Sequence, residues 1–146
     1  MARHGDPDYD NDRLTEKGIW QAQRLAECLD VFPLDAIYVS PLGRAQETCS
    51  YTAKRQRLSP ITAEWLTDFF VAVDIVACHS DWSLSRGIML PEGVEQSLIL
   101  KKGFDKLLAG YGLVREGRLY RVERGCDKRL ALFCHKGVIQ TLLPIC

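Results

Sequence analysis

The run Leu130-Ala131-Leu132-Phe133-Cys134 is apolar at every position. Successive side chains of a strand point to opposite faces, so a strand with no polar position has to be covered on both sides. Asp35-Ala36-Ile37-Tyr38-Val39, ended by Ser40-Pro41, is a second short β-rich run of the same character. In a chain of 146 residues, two such strands need helices above and below them, so a layered α/β domain is the expected class.

The patterns between these runs supply the helices. Ile19, Ala22, Ala26 and Leu29 share one helical face, which predicts a helix over Glu16–Leu29 with Thr15 as N-cap. Gly18 weakens its first turn slightly. A second helix is expected from Gly43 to about Arg57, where Lys54, Arg55 and Arg57 suit a C-terminus. Pro91-Glu92-Gly93 reads as a turn, followed by a helix from Val94 to Leu108 that stops at Gly110-Tyr111-Gly112. Residues 118–124 alternate polar and apolar as a half-exposed strand does, and are expected to pair with the Leu130–Cys134 run that follows. Val138–Leu143 opens a last helix, cut short by Pro144. Residues 3–13 are loop, rich in Gly, Pro, Asp and Asn. Residues 61–89, with Trp65, Phe69, Phe70 and Trp82, have no clear period; core packing is expected for at least half of these aromatics, the rest forming an apolar wall for a ligand. No repeat or linker interrupts the chain, so 1–146 reads as a single domain.

Nineteen basic residues balance nineteen acidic ones, so no overall field draws the chain to nucleic acid or anionic lipid, and any anion site has to be local. No apolar run reaches the roughly 18 residues of a membrane span, and no leader pattern opens the chain, so a cytoplasmic protein is expected. The six cysteines form no Cys-x-x-Cys pair and read as free buried thiols of a reducing compartment. Cys78-His79 and Cys134-His135 suggest a zinc site only weakly, because neighbours on a strand face opposite ways. No metal is expected.

Of the three histidines, His4 lies in a polar loop before Gly5, His135 directly follows the apolar strand, and His79 falls in the unclear middle. Singly, each reads as an ordinary solvated side chain. Together with Arg3 beside His4, and Arg44 at the start of a helix whose free N–H groups favour anions, they point to a phosphate. Each charge-assisted hydrogen bond to such an anion contributes roughly 1.5–3 kcal/mol.

Four blocks occur in order: Arg3-His4-Gly5; Leu14-Thr15-Glu16-Lys17-Gly18 with Gln21-Ala22; Ser40-Pro41-Leu42-Gly43-Arg44-Ala45-Gln46-Glu47-Thr48; and Phe133-Cys134-His135-Lys136-Gly137. They resemble the histidine phosphatase superfamily, the phosphoglycerate mutase-like clan. The resemblance implies a three-layer α/β/α fold with a mostly parallel central sheet. It implies that His4 takes up the phosphoryl group as phosphohistidine, that Arg3, Arg44 and His135 hold the phosphoryl oxygens, and that no metal or other cofactor takes part. A carboxylate in a Leu-x-Glu-like context would be the general acid; Leu66-Thr67-Asp68 fits, with Glu64 as competitor. Asn11 is a candidate phosphate contact, one residue off the usual asparagine of mutase-like members, and Asp6 and Tyr9 are candidates for the mouth of the site.

The chain departs from the family in two places. Only Met1 and Ala2 precede Arg3 where the family runs an apolar strand, so the first strand is expected to be nearly absent, as in a chain truncated at both ends. The strands near Asp35 and Leu130 are then expected to lack a neighbour between them. The family's His-Gly-Gly also reads His135-Lys136-Gly137, and a lysine is strained there if the backbone needs positive φ. The expected activity is metal-independent hydrolysis of small phosphomonoesters. The alternatives are an impaired fragment or phosphate-binding module, and mutase-type phosphoryl transfer. The expected partner is a small phosphorylated substrate, with a homodimer as a further option.

Overall fold

The structure is a computed structural model that describes residues 1–69, 91–117 and 119–143. In chain order its elements are β1 (Ala2–Arg3), β2 (Pro7–Asp8), β3 (Arg13–Leu14), α1 (Glu16–Leu29), β4 (Ala36–Val39), α2 (Gly43–Gln56), β5 (Ile61–Thr62), a 3₁₀ turn (Glu64–Leu66), α3 (Pro91–Gly110), β6 (Leu113–Glu116), β7 (Leu119–Val122), β8 (Leu130–Cys134) and α4 (Lys136–Leu142). The central sheet is parallel, in the order β1-β8-β4-β5.

The strand sequences dictate the layering. Ile37, Val39, Ala131 and Phe133 face one side, where they pack with Ala45, Cys49 and Ala53 of α2 and with Leu25 and Leu29 of α1. Leu132 and Cys134 face the other side, against Leu100 and Phe104 of α3 and Val138 and Leu142 of α4. Period-two alternation with no polar member thus fills both faces, giving a three-layer α/β/α sandwich. Phe133 is fully buried, and a phenylalanine so placed contributes on the order of 2–3 kcal/mol. Trp65 and Phe69 pack against the α3/α4 cluster as core residues; Phe70 and Trp82 lie outside the described residues. Among the described residues, no helix is long and apolar enough to cross a membrane.

Several expectations need correction. β8 pairs directly with β4 over four residues, Ala36 to Val39 against Leu130 to Phe133, so no strand is missing between them. The two-residue β1 lies on the other flank of β8, Ala2 opposite Phe133 and Arg3 opposite Cys134. Residues 119–122 do not join β8, whose two flanks are taken by β1 and β4. They form an antiparallel ribbon with β6, Leu113 opposite Val122, and their largely exposed side chains suit a place off the core. Pro91-Glu92-Gly93 belongs to α3, since a proline without N–H is tolerated in a first helical turn. α4 opens at Lys136, two residues before Val138, and the lysine is helical and exposed. Among the described non-glycine residues, positive φ occurs only at Asp12 and Arg57, so Lys136 carries no such strain. Cys49 and Cys134 are buried thiols as expected, but Cys28 and Cys126 are exposed.

Candidate active site

Parallel strands of a layered sheet end on one side, and the crevice beyond their carboxyl ends is where such folds bind ligands. His4 follows β1, Ser40 follows β4 and His135 follows β8. His4 N donates to Cys134 O at 3.1 Å and Ser40 N to Phe133 O at 2.9 Å, so the ladder extends into the site and fixes these residues side by side. The His4 and His135 ring centroids are 5.1 Å apart.

His4 is held from several directions. Its Nδ1 lies 2.8 Å from Gly5 O. A carbonyl only accepts, so Nδ1 carries the proton and Nε2 keeps its lone pair. Gly5 N donates to Thr48 Oγ1 at 3.1 Å, and the Thr48 hydroxyl donates to Arg44 O at 2.7 Å, tying the histidine loop to α2. Gly18 lets this loop lie against α1: a Cβ there would stand 2.2 Å from Asp6 O. The residue whose low helix propensity weakens the first turn is thus the one the packing demands. Burial, then the nearby Arg3 and Arg44 guanidinium groups, hold the His4 pKa below its ordinary 6.5, against the opposing pull of Gly5 O and Asp68.

Arg44, in the first turn of α2, is 7% exposed. Its Nη1 donates to Asp12 Oδ1 at 2.6 Å and its Nη2 to Asp68 Oδ2 at 2.9 Å. Asp12 also accepts from Gly43 N at 2.6 Å, so it caps α2 from another segment. Burial works to raise the Asp12 pKa, but the hydrogen bonds from Gly43 and Arg44 outweigh it and the net shift is downward. The Tyr9 ring lies beside the Arg44 guanidinium, 5.3 Å from its carbon to the ring centroid.

His135 is fully buried. Its Nε2 is 2.7 Å from Ser40 Oγ, and its Nδ1 is 3.6 Å from Asp68 Oδ2. Burial, reinforced by Arg44 and His4, lowers its pKa to about 4 although Asp68 acts to raise it.

Among the described residues, three buried side-chain polar atoms lack a hydrogen-bond partner: Arg44 Nε, His135 Nδ1 and Thr52 Oγ1. Two of the three are in this cluster. Buried polar atoms without partners are costly, and these two belong to residues that share Asp68, which leaves a place beside them for a polar ligand.

His4, Arg44, Asp68 and His135 are therefore brought together. Arg3 is exposed and lines an adjacent cavity of about 250 Å³ with His4, Gln21 and Thr48, near enough to His4 to lower its pKa. Asn11 is displaced from the site: it is exposed and donates to Asp8 Oδ2 at 2.8 Å. The next residue, Asp12, reaches the site instead. Glu64 is exposed on the 3₁₀ turn. Asp12, Ser40 and Thr48 escaped the sequence reading because their roles depend on partners distant in the chain. A larger cavity of about 540 Å³, lined by Asp35 and Arg124 to Lys128, lies at the opposite end of the strands, away from both histidines. Among the described residues no group of His, Cys, Asp and Glu is arranged to hold a metal ion. Cys134 packs in the α3/α4 cluster, where burial pushes its thiol up to about 11, and Cys78-His79 lies outside the described residues.

The fold and this cluster define an α/β protein with a histidine-centred polar crevice at the carboxyl ends of its parallel strands. Residues 1–72 match the family described as the histidine phosphatase superfamily (branch 1). Among solved structures, a mycobacterial glucosyl-3-phosphoglycerate phosphatase is similar at 22% identity and a TM-score of 0.67, over 98% of this chain and 76% of that one. The alpha-ribazole phosphatase of Shigella flexneri is similar at 19% identity and a TM-score of 0.58, over 94% of this chain and 73% of that one. A phosphoserine phosphatase of Entamoeba histolytica is similar at 19% identity and a TM-score of 0.55, over 97% and 75%. No curated protein matches the chain in sequence.

Proposed function

We propose that the chain hydrolyses small phosphomonoesters through a phosphohistidine on His4. The observation that carries this reading is the pair of unpartnered buried nitrogens, Arg44 Nε and His135 Nδ1, on two residues that share Asp68 beside a histidine whose Nε2 lone pair is free. In this scheme the phosphoryl oxygens take up the bonds those donors lack, and Arg3 adds charge from the adjacent wall. Nε2 of His4 attacks phosphorus as the ester P–O bond breaks, and Asp68, entering the step protonated on Oδ1, the oxygen that Arg44 does not bind, gives that proton to the departing alkoxide. Water then attacks the phosphohistidine with Asp68 as base, releasing inorganic phosphate and restoring neutral His4. Positioning and positive charge dominate phosphoryl transfer, and the cluster supplies both without a metal-dependent step. The phosphatase names of the similar structures agree with this class of reaction.

Turnover of p-nitrophenyl phosphate in the presence of EDTA tests the reading; loss of activity on chelation counts against it. Asp68→Asn is expected to slow alkyl phosphates by about 10²–10⁴-fold, and p-nitrophenyl phosphate much less, because only poor leaving groups need the proton. Glu64→Gln is expected to leave both rates near wild type. If Glu64→Gln alone shows the leaving-group dependence, Asp68 is the wrong acid.

The pH profile follows from the environment of His4. Attack needs the neutral ring, and burial holds the pKa below 6.5, so the neutral form persists as pH falls through that value. The acid limb of kcat/KM, corrected for the substrate's own ionisation, is expected to have its midpoint below 6.5. A midpoint above 6.5 contradicts this environment.

A further inference from the structure

We propose that the Ser40 hydroxyl is a positioning group that fixes His135 as the Nδ1–H tautomer, aiming that N–H at the phosphoryl site. The inference rests on the phosphatase reading only for what the N–H holds; the tautomer is a property of the free protein.

Ser40 is fully buried. Its Oγ accepts from Leu42 N at 3.3 Å and lies 2.7 Å from His135 Nε2. The hydroxyl has one proton to place. If Nε2 carried hydrogen, Ser40 Oγ would accept twice, and among the described residues no acceptor remains for its own buried proton. His135 Nδ1 would then turn a lone pair toward Asp68 Oδ2, 3.6 Å away, and toward any phosphoryl oxygen bound there. With Ser40 donating to Nε2, every hydrogen bond of the hydroxyl is made. Nδ1–H is left as a donor, and Nδ1 is the fully buried ring nitrogen that lacks a partner. A doubly protonated ring would donate from both sides without help from Ser40, but burial opposes that charge and lowers the pKa to about 4. A neutral ring has a single N–H, so its placement decides whether His135 attracts or repels an oxyanion.

The placement follows from chain geometry. Ser40 N is bound to Phe133 O at 2.9 Å, so the ends of β4 and β8 are locked in register. Gln46 Nε2 donates to Ser40 O at 2.7 Å, which anchors the same residue to α2. The serine therefore reads His135 from a fixed frame 95 residues away in sequence.

The test uses long-range proton–nitrogen NMR of the ¹⁵N-labelled protein, tractable with three histidines, assigned with His4→Gln and His79→Gln. In the wild type, His135 Nδ1 is expected to be pyrrole-like and Nε2 pyridine-like. Ser40→Thr, which keeps the hydroxyl, preserves this pattern, whereas Ser40→Ala moves protonation toward Nε2. Because Ser40→Ala puts a lone pair where a donor stood, kcat/KM falls about 10- to 100-fold and inhibition by inorganic phosphate weakens comparably. Ser40→Thr restores both. A wild-type spectrum with Nε2 protonated overturns the proposal whether or not either variant folds, as does a Ser40→Ala spectrum unchanged from wild type. Nδ1–H in a protein that turns over no phosphomonoester supports the tautomer assignment and removes the phosphatase reading instead.

Discussion

Replacing His4 with alanine is expected to lower phosphomonoester turnover by about 10⁴-fold or more, the scale on which loss of a covalent nucleophile acts. Among the described residues no neighbour can take over the role. His135 has its Nε2 committed to Ser40, and its other nitrogen is a donor in the arrangement inferred above. Cys134 packs in an apolar cluster, and burial pushes its thiol up to about 11, so it is no thiolate near neutrality. The scaffold loses little in this variant. His4 is held through its backbone N–H to Cys134 O, and through Gly5 N to Thr48, and alanine retains both bonds. Folded protein with negligible turnover is the expected result. Steady-state kinetics with matched thermal melts checks it, and substantial turnover by a folded variant rejects His4 as nucleophile.

Arg44→Ala is expected to damage activity and stability together. Two functions meet on this guanidinium: its buried Nε has no partner and is open to a ligand in the proposed scheme, and its Nη atoms hold Asp12 and Asp68. Removing an arginine that stabilises transferring phosphoryl charge costs about 10³–10⁵-fold in kcat. The variant also leaves the Asp12 and Asp68 carboxylates without the guanidinium that binds them both. Asp12 and Asp68 keep 41% and 33% of their side-chain surface in water. The stability loss is therefore set at roughly 1–3 kcal/mol, below that of a fully buried pair. Arg44→Lys keeps a charge but not the fork that reaches both carboxylates, and is expected to fall between. The check is kcat, KM and Tm for the three proteins. A drop in Tm without a drop in kcat would confine Arg44 to a structural role.

Much of the fold was legible because its signals are local. α1 spans Glu16–Leu29 as the apolar stripe and the Thr15 cap indicate, and Thr15 accepts from Gly18 N as an N-cap does. The apolar runs at 36–39 and 130–134 announce buried strands, and period-two alternation then divides their side chains between two helical layers. Pairing was less legible. The alternation at 118–124 shows a half-exposed strand but not its partner, and that partner, β6, lies upstream. The site divided in the same way. His4, Arg44 and His135 stand at strand ends or a helix start, positions that can be read from the sequence. Asp12 and Ser40 work through partners 32 and 95 residues away, Arg44 and His135, and no short-range pattern marks them. The displacement of Asn11 by Asp12 turns on one residue in a tight loop, where Asp12 adopts φ of 46°. Spacing alone does not resolve such a difference.

The central claim concerns the atom that carries the phosphoryl group. Rapid acid-free quenching of the wild type during turnover of a ³²P-labelled phosphomonoester, followed by peptide mapping, measures it directly. The expected result is label on His4, stable to alkali and lost in acid as a phosphoramidate is, approaching one phosphoryl group per active chain and absent from His4→Ala. Turnover with no trapped label, or label on any other residue, contradicts the account.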